Sequence, residues 1–345
     1  MSNINEKSTI SLIAYMFIII AFLKLGSGII LPFLMAFFIF IIFLPLINRL
    51  NSFSIPNIIS SLIVFSIIVV IIFLLTAFIV SSSNEIAKNI PLYQEKFHLL
   101  SPQIIVFFEQ FNISLKWNHI VNFIEPVKVI NQITIFFKGM GNIIVNIFLV
   151  LILVIFLLLE SSMILKKAFY LAKTRQQKEK LELFLKSISR YFLLKTFTSL
   201  LTGISIWIML TYFNLEYALI FAVFAFLLNF IPSIGSYIAS IPPIFIAMLQ
   251  LNMLDTVIIA IGYLFINNFI GTFLEPKIMG KDLGLSTFIV FVSIIIWGWI
   301  LGPLGMFLAV PLTLAIKIAS KNSEKYHYLY VILTDKIIEH KTIKQ

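Results

Sequence analysis

Long apolar runs alternate with short polar segments along almost the whole chain, which predicts a series of membrane-spanning helices. A helix needs about 20 residues to cross about 30 Å of hydrocarbon. Spans of that length are predicted near residues 8–23, 28–47, 57–80, 141–160, 196–213, 215–231, 255–274 and 285–300. Two more stretches, 232–250 and 303–319, either cross or re-enter the membrane. The pattern therefore predicts an all-α polytopic helix bundle with eight to ten membrane segments, some of them broken or re-entrant.

Segment 81–139 interrupts this pattern, because its apolar residues recur at helical spacing instead of forming one continuous run. Two interpretations stay open: amphipathic helices on the outer membrane surface, or a small packed extracytoplasmic subdomain. The predicted organisation has five parts: three N-terminal spans (1–80), this extracytoplasmic segment (81–139), a fourth span with a basic cytoplasmic helix (140–195), a core of broken helices (196–320) and a cytoplasmic tail (321–345).

Composition supports the membrane assignment and narrows the function classes. Of the 345 residues, 60% are hydrophobic and 12% are charged, whereas an ordinary soluble protein is about 25% charged. The mean hydropathy of +1.06 points the same way. The chain has no cysteine, which excludes disulfides and thiolate metal sites.

The net charge of +10 predicts the orientation of the spans. Basic residues concentrate in cytoplasmic loops of membrane proteins, and segment 164–195 carries nine of them. Placing this segment in the cytoplasm puts nineteen of the twenty-five basic residues, and both termini, on that side. The orientation of the spans in the membrane therefore explains the positive net charge, and no nucleic-acid partner is expected.

Enzyme signatures are absent from the sequence. All four histidines lie outside the predicted spans, and the chain has no zinc-protease HExxH motif, no phosphate-binding loop and no GxSxG motif. We therefore expect no enzyme, no catalytic residue, no metal site and no cofactor.

Prolines and glycines concentrate in the C-terminal half, where they predict interrupted helices. Non-helical backbone at membrane depth is tolerated only where protein buries it or where it lines a watery cavity. The stretch "NFIPSIGSYIASIPP", residues 229–243, is either such a break beside a permeation path or a tight turn between two helices. The predicted hinge and helix-break residues are Pro242, Pro243, Gly302, Pro303, Gly305 and Pro311.

Polar side chains near these breaks are the candidates for a translocation pathway. A carboxylate at the centre of a membrane helix costs about 2.5–3.5 kcal/mol on insertion scales, so it needs a protein partner or water. The alternative is that the side-chain amides of Asn229, Asn267 and Asn268 only bridge helices, and that the carboxylate of Glu275 pairs with Lys277 or Lys281. The predicted pathway residues are Asn229, Pro232, Gly235, Asn267, Asn268 and Glu275.

The chain resembles a known family over nearly its whole length, most strongly over about residues 195–320. The stretches "NFIPSIGSYIASIPPIFIAML" and "NNFIGTFLEPKIMGKDLGLSTFIVFVSIIIWGWILGPLGMFLAVPLTLAIK" look like the core of the autoinducer-2 exporter family of permeases. The resemblance implies a transporter of the bacterial cytoplasmic (inner) membrane that assembles as a homo-oligomer, with a pentamer as one form.

The resemblance does not fix the substrate, and three functions remain open. The first is secondary transport or export of a small polar solute, such as an autoinducer-2-like signal. The second is sodium/proton antiport on the same fold, in which the protein would bind and transport a monovalent cation in place of an organic solute. The third is a passive oligomeric pore or scaffold.

Overall fold

The computed structural model describes residues 6–89, 91–93, 95–96, 147–232, 234–279, 284–321 and 326–335. Within these residues the regular structure is helical, and an isolated bridge between Leu285 and Thr334 is its one β-type pairing. The predicted all-α fold is confirmed. Most of the predicted extracytoplasmic segment 81–139 lies outside the described residues.

The helices follow one another closely along the chain. The first part contains α1 Glu6–Leu25, α2 Ser27–Ser52, α3 Asn57–Lys88, α4 Ile147–Leu159, α5 Ser161–Leu171 and α6 Arg175–Tyr212. The second part contains α7 Ala218–Leu228, α8 Gly235–Gln250, α9 Met253–Asn268, a π-helix Phe269–Leu274, α10 Glu275–Met279, α11 Thr287–Leu301, α12 Pro303–Phe307, α13 Ala309–Ser320 and α14 His327–Leu333.

The described helices include five that are long and apolar enough to cross a membrane, or six if the bent pair α4–α5 is one span. Three shorter apolar helices, α7, α8 and α11, accompany them. The protein is therefore a multi-pass helical membrane protein. The basic helix and the span predicted at 196–213 are parts of one continuous helix, α6, which runs through residue 195.

Packing divides the chain into two compact units, each built from stretches that are separated in the sequence. The first comprises Met1–Phe65, Leu149–Leu194 and Met279–Gln345, and the second comprises Ser66–Phe148 and Lys195–Ile278. In the first unit, α1, α2 and α11 pack on one another, and Ser61 donates a hydrogen bond to the carbonyl of Leu158. In the second unit, α6, α7, α8 and α9 share one buried apolar core that includes Phe221, Phe245 and Tyr263.

The break between α7 and α8 is a tight turn. The backbone N–H groups of Phe230 and Ile231 donate to Leu227 and Leu228, and that of Gly235 donates to Ile231. Gly235 begins α8, and a side chain there would collide with the carbonyl of Leu228. The described residues of this break therefore form a tight turn, in which these N–H groups are satisfied by nearby backbone carbonyls.

Pro242 and Pro243 do not break the helix, contrary to the prediction, because both lie inside α8. An interior proline costs about 3 kcal/mol or more through a lost hydrogen bond and a clash with the previous turn. Tertiary packing supplies most helical stability in proteins. Here α8 packs on both α7 and α9 and buries Pro243, Phe245 and Ile246, which keeps the helix intact.

Gly302 separates α11 from α12, with a positive φ of 73° that favours glycine. Pro303 is then the first residue of α12, where a proline loses no helical bond. Gly305 lies inside α12 and leaves room for the carbonyl of Trp297.

Pro311 is also inside a helix, in the first turn of α13. The sequence predicts a helix break at Pro311, but in the structure the break lies four residues before it, where α12 ends. A proline ring clashes with the carbonyl four residues before it, and α12 ends at that residue, Phe307.

Candidate functional site

A buried ion pair joins two helices of the second unit. The ammonium of Lys195 on α6 lies 2.7 and 2.8 Å from the two carboxylate oxygens of Glu275 at the start of α10. The Lys195 side chain is 2% exposed and the Glu275 side chain is 14% exposed. Of the alternative partners considered for Glu275, Lys277 has its ammonium over the Phe273 ring, and Lys281 lies outside the described residues.

Lys195 begins a stripe of buried polar side chains on α6. Residues three, four and seven positions further along share its helical face, and these are Thr198, Ser199 and Thr202, each at most 1% exposed. The two threonine hydroxyls donate to backbone carbonyls of α6. The stripe therefore places one charge and three hydroxyls on the buried face of α6.

Asn229 connects this stripe to the break after α7. It is buried, it follows the last residue of α7, and its side-chain amide donates to the Ser199 hydroxyl oxygen at 3.0 Å. Pro232 and Gly235 lie in the same turn, half-buried and buried respectively. Ser199, the partner of Asn229, lies one turn of α6 beyond Lys195, and it therefore links Asn229 to the neighbourhood of the ion pair.

The other two predicted amides lie in different surroundings. Asn267 is buried and donates to the carbonyl of Ser236 at 3.1 Å, while its own side-chain oxygen has no partner among the described residues. Asn268 is exposed, donates to the carbonyl of Leu264 on its own helix, and accepts from the Tyr237 hydroxyl. The structure therefore gives Asn229 and Asn267 helix-bridging contacts and leaves Asn268 outside the buried face.

A π-helix positions Glu275. Its backbone N–H donates to Ile270, five residues back, at the end of the π-helix. The next residue is Pro276, which has no N–H for the carbonyl of Thr272 and would clash with it in an α-helix. The wider π turn relieves that clash. Short π segments occur frequently at functional sites.

Comparison with known proteins agrees with this architecture. The profile of the AI-2E family transporter matches residues 10–325. This chain belongs to the AI-2E transporter family. It is 33% identical to the AI-2 transport protein TqsA of Escherichia coli over 333 residues, which cover 96% of this chain and 97% of TqsA. It is 35% identical to a protein of Haemophilus influenzae named as a transport protein, covering 94% and 96% of the two chains.

A second polar cluster of this AI-2E family transporter lies at the other end of α6. The Tyr93 hydroxyl and the Gln250 amide both donate to one carboxylate oxygen of Glu216, at 2.8 and 2.6 Å. Burial, reinforced by the hydrogen bond to Glu216, raises the pKa of the Tyr93 hydroxyl, so that it stays a donor. An open cavity of about 500 Å³ lies beside the cluster, lined by Glu85, Asn89, Glu216, Tyr217 and neighbouring apolar residues.

Sequence reasoning missed the role of Lys195. In the sequence it is the last of nine basic residues and counts as part of the cytoplasmic segment. The available signal was its position directly before an apolar run that carries Thr198, Ser199 and Thr202 on one helical face. The contacts of the described residues bring Lys195, Ser199, Asn229 and Glu275 together, and these four residues form the candidate site.

Proposed function

We propose that this chain exports a small polar solute of the autoinducer-2 type across the bacterial cytoplasmic membrane. The buried Lys195–Glu275 pair beside Ser199 and Asn229 is the observation that carries the proposal. Ionisable residues inside membrane segments are rare and mark substrate or ion pathways. The similarity to TqsA, whose name describes AI-2 transport, supports the choice of solute.

Helix lengths support a path through this part of the second unit. At about 1.5 Å per residue, α7 is only about 16 Å long, which is about half the hydrocarbon thickness. The hairpin of α7 and α8 therefore fits a re-entrant element whose turn lies near the membrane midplane. Transporters place solute sites beside such interrupted helices, and Asn229 lies at this turn.

We also propose that both termini and the basic stretch of segment 164–195 around Lys178 face the cytoplasm. Because the natural chain has no cysteine, a single Lys178→Cys change gives one labelling site. We expect a membrane-impermeant thiol reagent added to intact cells to leave this site unlabelled, and to label it after the cells are opened. Labelling from outside would contradict the orientation.

Flux measurements in liposomes test the proposed export. Purified protein in liposomes loaded with the furanone signal should release it faster than protein-free liposomes do. Asn229→Ala should slow the release several-fold, because it removes the donor to Ser199 at the turn. Asn268→Ala is the matched control and should leave release unchanged, since this amide is exposed and bonds to its own helix. Equal retention with and without protein would rule out this solute.

A further inference from the structure

We infer that Lys195 binds an anionic group of the transported solute, and that Glu275 occupies the position of that group in the structure described above. The inference deepens the proposed function and rests on it, because it names the chemical class of the solute. That class is a hydroxyl-bearing solute with a negative charge, so within the proposed function an anionic form of the furanone signal would bind Lys195.

The carboxylate of Glu275 binds Lys195 as a solute anion would. Both of its oxygens lie within hydrogen-bonding distance of the ammonium. An ammonium has three protons to donate, and among the described residues the third has no acceptor. Ser199, one helical turn further along α6, accepts from Asn229, and its own proton also has no acceptor within the described part of the chain. Two donors are therefore available to a larger anion that carries a hydroxyl group.

The two partners differ in their freedom to move. Lys195 lies in the middle of α6, a continuous helix of 38 residues, which fixes its backbone. Glu275 lies between the π-helix and Pro276. Backbone N–H groups in a π-helix bond to the carbonyl five residues earlier, whereas those in the α-helix that follows bond to the carbonyl four residues earlier. A shift of this junction would displace the carboxylate while α6 keeps its continuous helix. Glu275 is also the more exposed partner, so it is the residue that can leave.

Displacement of Glu275 would leave a buried ammonium without a counter-charge. Removing one partner of a buried ion pair is strongly unfavourable, whereas the paired state is tolerated. A neutral solute cannot replace the carboxylate, but an anion can. Exchange of Glu275 for the solute anion keeps the site neutral throughout, and the hydroxyl groups of the solute would meet Ser199 and Asn229.

Thiol labelling with reagents of opposite charge tests this inference without any solute. Ser199→Cys introduces a single thiol into the cysteine-free chain. Its reaction rates with a sulfonate and with a trimethylammonium methanethiosulfonate are measured on the full-length protein in liposomes. Rates at Gln176→Cys, on the exposed face of α6, correct for the intrinsic reactivity of the two reagents. Thr202→Cys replaces Ser199→Cys if the latter does not fold.

We expect the anionic reagent to react about tenfold faster than the cationic one at Ser199→Cys. Adding Glu275→Gln should increase this preference, because the ammonium then lacks its counter-charge. Changing both partners, Lys195→Gln with Glu275→Gln, should remove the preference. No labelling in any background, or equal rates for both reagents, would overturn the inference. Because furanone release is measured separately, loss of release with retained anion preference would reject only the proposed solute.

Discussion

Lys195→Met is expected to destabilise the protein by about 3–5 kcal/mol, the usual effect of removing one partner of a buried ion pair. The change leaves the Glu275 carboxylate without its counter-charge in a site that is 14% exposed. The unfolding midpoint in detergent, followed by tryptophan fluorescence, measures the loss. The amount of monodisperse protein after size-exclusion chromatography provides a second measure.

The matched control removes both charges together. Lys195→Met with Glu275→Gln leaves no buried charge, and replacing a buried pair by uncharged groups is often close to neutral. We therefore expect the double variant to be clearly more stable than Lys195→Met alone. A double variant as unstable as the single one would show that packing at these positions, and not charge pairing, dominates their contribution.

Gly235→Ala is expected to abolish or strongly reduce the yield of folded protein. A Cβ at this position would overlap the carbonyl of Leu228 and crowd the side chain of Ile231. Overpacking in a well-packed interior costs about 1–3 kcal/mol and occasionally more, and a backbone carbonyl cannot move aside as a flexible side chain can. Membrane abundance and the unfolding midpoint measure the effect.

Gly28→Ala provides the control for Gly235→Ala. A Cβ at Gly28 meets no atom within 4 Å, and alanine favours the interior of a helix over glycine by about 1 kcal/mol. Abundance should therefore stay equal or rise slightly. If Gly235→Ala behaved like Gly28→Ala, the close approach of α8 to Leu228 would not be required for folding.

Several features followed from the sequence because they depend on local chemistry. Apolar runs of about 20 residues cannot be accommodated outside a membrane or a large core, so the helical membrane class was predictable. The interruption at Gly302–Pro303 was also predictable, since a proline cannot continue the preceding helix and glycine accepts the positive φ found there. The resemblance of residues 195–320 to the family rested on these same punctuated segments.

The prolines at 242 and 243 show where local chemistry is insufficient. By themselves they predict a broken helix, yet α8 continues through them because it packs on α7 and α9. Local preferences of a few kcal/mol were therefore overridden by tertiary contacts. The single helix α6 is a second case, in which a polar segment and an apolar segment share one continuous backbone.

The sequence by itself determined a multi-pass helical membrane protein and indicated that Asn229 and Glu275 are polar residues in need of partners. Only the tertiary structure decided what those partners are. Glu275 pairs with Lys195 and Asn229 bonds to Ser199, residues 80 and 30 positions away along the chain. The charge pattern assigned Lys195 to the cytoplasmic surface, because composition counts charges without recording which helix face is buried. Helix packing determines that face, and it placed the ammonium beside a carboxylate that the sequence could not connect to it.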